Sequence, residues 1–455
     1  MKKFLLFFLP LLILLFVIIL GFLFQEVKSQ KTILKAKEKE NIEILRRVAN
    51  DDIESVVSDL FFLSVNPLLH QMLDNNNSVV LNKVKDDFRT FCSNSKLFDQ
   101  IRFLDEKGME QIRINFNENQ SIIVPDDKLQ NKGKRYYFAD TFALKPGRIF
   151  MSPFDLNIEH GRIEQPLKPM IRFGTPIVDL NGRKRGIVLL NYLGRNLINN
   201  LNQALPDSKD SFALLNSNGY WLKGPIAEDE WGFMYDNRKD RSLAKQFPEI
   251  WKKISIQNDG QFTINHDIYT FATVYLLNRG MLSSTGSGTA FKPSSSVLSG
   301  KNSHWKIVSV ITKEQLKAQK RAILLGWLPY LAVFFLGTVL LSLVLSFAAK
   351  QRELAMKERL KREKFQGVLE MTGAVCHEIN QPLAAISGYS ELLLLDTPEN
   401  KQEYKSIKAI FDQSQRVGMI TKKLMTITQY KTKDYLKGKI IDIDAASDEN
   451  NTDID

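Results

Sequence analysis

Residues 322–349 read AILLGWLPYLAVFFLGTVLLSLVLSFAA, and residues 350–364 continue as KQRELAMKERLKREK. The first string carries no charge and, rising about 1.5 Å per residue as a helix, is long enough to cross a hydrocarbon core of roughly 30 Å. Its one local disturbance, Pro329, is tolerated in a membrane helix. The second string supplies Lys350, Arg352, Lys357, Arg359, Lys361, Arg362 and Lys364, the densest cation cluster in the chain, and marks the cytoplasmic end of the span. The other flank holds Lys313, Lys317, Lys320 and Arg321, which weakens this asymmetry without reversing it.

A second charge-free run, FLLFFLPLLILLFVIILGFLF at 4–24, follows Lys2 and Lys3. It is too long for a secretory leader, and no Ala-x-Ala cleavage site follows, so it too is expected to span. Both charge patterns put residues 25–321 outside the cytoplasmic membrane and the residues after about 350 inside. The expected location is therefore the inner membrane, with signal passing inward. A length of 455 residues, 44% apolar and 25% charged, is a globular composition sufficient for two or three folded units. Cys92 and Cys376 fall on opposite sides of the bilayer and cannot form a disulfide framework. Much of the excess behind the net charge of +11 lies beside the second span, in the basic run 350–364, so it is read as a membrane flank, with no nucleic-acid partner.

Outside, residues 26–66 lack glycine and place Ile33, Ile42, Leu45 and Val48 at helical spacing, which predicts a stalk helix. Beyond it, short β-rich runs alternate with turn signals. FDQIRFLD and MEQIRINF read as a hairpin; IRFGTPIVDL and KRGIVLLNYL flank Asn181-Gly182, and FALLNS and YWLKG flank Asn218-Gly219, the dipeptide preferred in tight turns. QFTINHDIYTFATVYLL and HWKIVSVIT complete the set. Two α+β units split near Pro206-Asp207 are expected, with the Ser/Gly-rich stretch 283–300 a loop of the second. His70, His160, His266 and His304 stand alone without metal-ligand spacing, so no metal is assigned.

This layout, together with Arg135-Tyr136-Tyr137-Phe138, resembles the double Cache sensor modules of bacterial receptors, which pair two PAS-like sheets on a long helix. The resemblance covers about residues 30–315. It implies that Arg135, Tyr136 and Tyr137 line a membrane-distal pocket for a small molecule, with Asp155 and Arg172 completing it; a guanidinium suits a carboxylate and a phenol a further hydrogen bond. The alternative is that the aromatic residues pack the distal core and Arg135 makes a structural ion pair.

Inside, Leu369, Thr372, Cys376, Ile379, Leu383, Ile386, Ser390 and Leu393 recur at steps of three and four, as do Ile407, Ile410, Ser414, Val417, Thr421 and Leu424. Two helices with such seams, separated by Asp396-Thr397-Pro398-Glu399 with Thr397 as an expected cap, predict a hairpin. Pairing with a second copy would bury both seams in a four-helix bundle. His377 follows seam residue Cys376 and should stay accessible; Glu378 can orient its far ring nitrogen, Gln381 lies one turn on, and Pro382 removes a helix hydrogen bond beside it.

The string His377-Glu378-Ile379-Asn380-Gln381-Pro382-Leu383-Ala384-Ala385-Ile386 resembles the H box of the histidine-kinase dimerisation and phosphoacceptor domain, over roughly residues 360–435. The resemblance implies that His377 accepts phosphate, Glu378 is its acid–base partner, and Gln381 occupies the position used when the helix assists dephosphorylation of a response regulator. That family's ATP-binding domain is expected on a partner, because no Gly-rich box follows the hairpin. ATP and Mg²⁺ are accordingly expected there, with no cofactor on this chain and no autonomous kinase activity. The expected organisation is 1–3 cytoplasmic, 4–24 span, 25–70 stalk, 71–206 distal unit, 207–321 proximal unit, 322–349 span, 350–364 basic helix, 365–435 phosphoacceptor hairpin, and 436–455 connector and acidic tail. The expected partners are a second copy, a response regulator, an outside small molecule and a histidine kinase or catalytic subunit. Two alternatives stay open: a receptor that pairs with full-length kinases without carrying phosphate, and the N-terminal part of a split kinase.

Overall fold

The computed structural model describes residues 1–75, 77–117, 119–159, 161–206, 212–276, 281–286, 294, 296–298, 303–427, 432–435 and 438–441. His160, Asp207 at the expected unit boundary, much of the 283–300 stretch, and most of the connector with the whole acidic tail lie outside the described residues. The chain divides into two bodies, residues 21–328 and residues 1–20 with 329–455.

The first body is built on helix α1 (Lys2–Ser64), which continues from the first apolar run into the stalk. Ile42, Leu45, Ala49, Ile53, Val56, Leu60 and Leu63 are all buried on one helical stripe, and each large side chain contributes about 1.5–3 kcal/mol by leaving water. The helix stops before the expected residue 70. Asn66 accepts from the backbone N–H groups of Leu68 (2.8 Å) and Leu69 (3.2 Å), and with Pro67 opening α2 (Pro67–Asn75) it starts a new helix. Helix α3 (Ser78–Ser95) follows.

The strands then run in order: β1 (Phe98–Asp105), β2 (Glu110–Asn117), β3 (Gln120–Ile123), helix α4 (Tyr136–Ala143), β4 (Ile149–Met151), β5 (Asp155–Leu156), β6 (Ile158–Glu159), β7 (Arg162–Ile163), β8 (Pro169–Val178) and β9 (Lys184–Leu193). After α5 (Gly194–Ala204) come β10 (Phe212–Leu215), β11 (Trp221–Lys223), α6 (Leu243–Gln246), α7 (Pro248–Ile256), β12 (Asp259–Ile264), β13 (Asp267–Tyr275), β14 (Met281–Ser284), β15 (Val297–Leu298) and β16 (His304–Ile311). The three expected hairpins form, β1 with β2, β8 with β9 and β10 with β11, and the run QFTINHDIYTFATVYLL folds into a further one, β12 with β13. The distal sheet has the order β15-β14-β4-β8-β9-β1-β2-β3, with β5 on β8, and the proximal sheet β11-β10-β16-β13-β12.

This arrangement corrects the reading of 283–300 as a loop of the second unit. β14 lies in parallel against β4 of the distal sheet, and β15 pairs with β14. The short strand β4 would otherwise leave backbone groups unpaired beside a buried core, and β14 satisfies them. The Ser283 hydroxyl adds a bond to the Met151 carbonyl (2.7 Å). A division at residue 206 therefore does not separate the sheets: a strand from the second half of the sequence completes the first sheet.

One continuous core joins the stalk to both sheets, running from Leu45 and Phe88 through Phe173 and Tyr192 to Val274 and Ile307. Polar ties reinforce it. Tyr192 donates to Asp52, which also accepts from Asn200 (2.8 Å), and Ser309 donates to Glu38. On the opposite face of the distal sheet α4 crosses β8 at Gly174, where a Cβ would lie 2.6 Å from Thr141 Oγ1.

In the second body, the parts of α1 and α8 (Lys313–Asp396) that hold the two apolar runs are each long and apolar enough to cross a membrane. Lys3 pairs with Glu353, and Phe8 meets Phe335 edge-on at 6.1 Å, so the helices run side by side in opposite directions. α8 continues through Pro382, and α9 (Gln402–Met425) packs back on it. Thr397 does not cap α9. Its hydroxyl bonds back to the Leu393 carbonyl of α8 (2.6 Å), and α9 begins five residues later at Gln402. Strands β17 (Thr432–Tyr435) and β18 (Gly438–Ile441) form a short hairpin beyond.

Candidate functional site

In the helical hairpin Cys376 is buried at 1% exposure, and its neighbour His377 is exposed. A helix turns about 100° per residue, so a residue next to a seam position faces the flank. Gln381, one turn on, brings its Nε2 to 3.2 Å from His377 Nε2. Glu378 is exposed, and among the described residues no hydrogen bond joins it to His377, because consecutive helical side chains diverge. The seam is polar for a helix pair. Thr421 donates to Asn380 Oδ1 (2.6 Å), Gln415 donates to Ser387 (3.1 Å), and Ser390 and Ser414 are buried. Ile379, Ile386, Ile410 and Val417 remain 38–52% exposed, an apolar face without a partner among the described residues.

Outside, strand alternation creates the second cluster. Ile101, Phe103, Ile171 and Phe173 point into the stalk core, so Arg102 and Arg172 between them point to the α4 face. Both flank β9, whose Asn191 shares that face and pairs in register with Arg172. The Tyr137 ring lies between the two guanidiniums, each with its carbon 5.5 Å from the ring centroid. Arg102 donates to Tyr137 Oη (3.4 Å) and Asn191 Oδ1 (2.7 Å) and faces Glu110 at 3.5 Å. Arg172 donates to Asp155 (3.0 Å) and Asn157 (2.9 Å). The Nε–H groups of both arginines are buried without a hydrogen-bond partner.

The electrostatics follow from this packing. Burial alone would raise the Tyr137 pKa, but the cations Arg102, Arg172, Lys132 and Arg135 outweigh it and the net shift is downward. Tyr136 moves the other way, pushed well up by burial and then by the Asp155 carboxylate. Arg172 stays charged, because Asp155 more than offsets the burial that opposes its charge. The expected residues Tyr136, Tyr137, Asp155 and Arg172 thus meet in one place. Arg135 stands at the N-terminus of α4, its charge felt at Tyr137. Arg102, Asn157, Asn191 and Glu110 were not anticipated. Among the isolated histidines, His70 bonds the Ser64 carbonyl (3.0 Å) and His266 sits in the β12–β13 turn.

An α+β sensor on a stalk helix, two apolar helices and a helical hairpin bearing an exposed histidine have the organisation of a membrane-bound two-component sensor. The chain belongs to the family described as "Bacterial histidine kinase, sensor domain", whose model matches residues 34–284. The "His Kinase A (phospho-acceptor) domain" matches residues 368–432. Among solved structures, a domain of a sensory box/GGDEF family protein from Vibrio parahaemolyticus is similar at 21% identity and TM-score 0.51, covering 62% of this chain and 97% of that one. The extracellular domain described as that of the histidine kinase vpHK1S-Z8 matches with the same identity, TM-score and coverage of this chain, and with 93% of its own length. Both share the α+β fold of the outer body. No curated protein matches this sequence. The two matched domains and the apolar helices make the chain a two-component sensor of the inner membrane with an extracytoplasmic segment.

Proposed function

We propose that this protein senses a small anionic molecule outside the membrane and, in response, controls phosphorylation of His377 and onward transfer to an aspartate of a response regulator. The observation that carries the phosphate half is the exposed imidazole of His377 beside buried Cys376, with Gln381 at 3.2 Å. An accessible neutral imidazole is a nucleophile. Its Nε2 attacks the γ-phosphorus of ATP held with Mg²⁺ on a catalytic domain, the bond to the bridging oxygen breaks and ADP leaves. Attack by a regulator aspartate then releases the imidazole.

The charge around Tyr137 supports the ligand class. Four cations surround it, against the carboxylates Glu110 and Asp155, and two buried N–H donors stand ready for an acceptor. Each suits a carboxylate oxygen. The unpartnered face of Ile379, Ile386, Ile410 and Val417 supports a dimer of hairpins.

The test supplies the full chain in membranes with a histidine-kinase catalytic subunit and radiolabelled ATP. The expected result is acid-labile phosphate on the wild type and none on His377→Gln. Equal labelling of both would remove His377 from the relay.

A further inference from the structure

Where β14 crosses from the proximal half to the distal sheet, a cavity of about 160 Å³ opens between the two sheets. Its floor is aromatic: Phe154 and Trp305 are 4% and 3% exposed, with ring centroids 5.5 Å apart. Its walls are hydroxyls and amides from three directions, the β4–β5 connection, the β10–β11 turn and β14. Among the described residues that line it none is Asp, Glu, Lys or Arg, and His304 is the one titratable side chain. At the rim the hydroxyls of Ser217 and Ser303 and the carboxamide of Asn218 make no hydrogen bond to another described residue, so polar capacity is left over above an apolar floor.

We propose that this seam is a second binding site, separate from the arginine cluster, for a small uncharged polyhydroxy molecule of monosaccharide or polyol type. Such a molecule lays its C–H face on aromatic rings while its hydroxyls exchange hydrogen bonds with serine and asparagine. A charged ligand would lose water there without finding a carboxylate, ammonium or guanidinium among the described lining residues. The site also has reach. Ser152 in its wall accepts the backbone N–H of Arg172 (2.8 Å), and Ser283 bonds the Met151 carbonyl. An occupant would brace β14 against the proximal sheet at the edge of the arginine site. The inference does not rest on phosphate chemistry at His377.

The experiment is titration calorimetry on the full chain in nanodiscs with D-glucose, myo-inositol and glycerol, and with D-glucuronate as the charged control. Saturable binding of at least one neutral probe is expected, with D-glucuronate weaker by roughly tenfold or more. Ser217→Trp fills the cavity and should weaken binding by a similar factor; Ser303→Trp fills it from the other wall, and serves if the first variant does not fold. Absence of saturable binding by all three neutral probes, equal binding of D-glucuronate, or binding unaffected by a folded filling variant would each overturn the proposal.

Discussion

Nε2 of Gln381 lies 3.2 Å from Nε2 of His377, one turn along the same exposed helix face. With the amide as donor, Nε2 is the acceptor and the ring proton sits on Nδ1. The lone pair that would attack phosphorus is therefore held by the residue that resembles the family's dephosphorylation position. A net hydrogen bond at an exposed site contributes about 0.5 kcal/mol, so Gln381→Ala should accelerate phosphorylation of His377 about twofold. Dephosphorylation of the regulator should slow in the same variant. Quench-flow measurement of acid-labile phosphate checks both, and unchanged rates would leave the amide without a part.

The β-hairpins were legible because alternation and Asn-Gly turns are local signals, as in Lys184–Leu193 paired back on Pro169–Val178. The crossing strand was not. Met281-Leu282-Ser283-Ser284 has no alternation, and Ser283 meets Met151 across 132 residues of chain, a pairing no local pattern encodes. The arginine site was half legible. Arg172 was anticipated, yet Ile101-Arg102-Phe103 repeats Ile171-Arg172-Phe173 residue for residue, and both strands flank β9. An arginine between two core residues of a central strand must face the opposite layer, and that repeat was the available signal. Glu378 makes no hydrogen bond to His377 among the described residues for a simpler reason, since adjacent side chains on a helix diverge.

The exposed apolar face of the hairpin makes a dimer testable. Ile386 is 48% and Ile410 52% exposed, and both line one groove with Leu383 and Val417. Covering such side chains gains about 25 cal/mol per Å² of apolar surface, and a carboxylate in their midst reverses that gain. Ile386→Glu should therefore lower the yield of dimer in cross-linking of the cytoplasmic hairpin within the full chain, and reduce labelling of His377 if the donor acts across the dimer. Wild-type cross-linking in this variant would exclude the face as the contact.

Gly174 tests the outer site through packing alone. A Cβ there meets Thr141 Oγ1 at 2.6 Å, and that hydroxyl already donates to the Tyr137 carbonyl at 2.6 Å. Gly174→Val must lift α4, and Tyr137 leaves its place between Arg102 and Arg172. The overpacking should cost about 1–3 kcal/mol, seen in thermal unfolding. The sharper readout is optical. The Tyr137 pKa lies below the ordinary phenol value because of the surrounding cations, so alkaline titration of tyrosinate absorbance, with Tyr137→Phe as background, should show this step moving upward. A step that stays in place would mean α4 tolerates the side chain.

Lys306 is 2% exposed in β16, and its Nζ donates to the Gln257 carbonyl and Thr273 Oγ1, both at 2.6 Å. Burial, only partly opposed by Asp259, pulls its pKa from 10.5 down to about 8. Below the folded value both states carry the proton and the burial penalty is fully present. Between about 8 and 10.5 the unfolded chain holds the proton and the folded chain has released it, so stability rises with pH across that window. Above it the contribution is level. Lys306→Met removes the titrating group, and the wild-type minus variant difference in unfolding midpoint should climb through the window and then flatten. A difference that stays constant throughout would mean the amine remains charged in the fold. β16 leads at Ile311 into α8 at Lys313, so the same amine sits on the strand that enters the second span. If its charge state shifts that strand, the pH profile of His377 labelling should lose a step near the same pH in Lys306→Met.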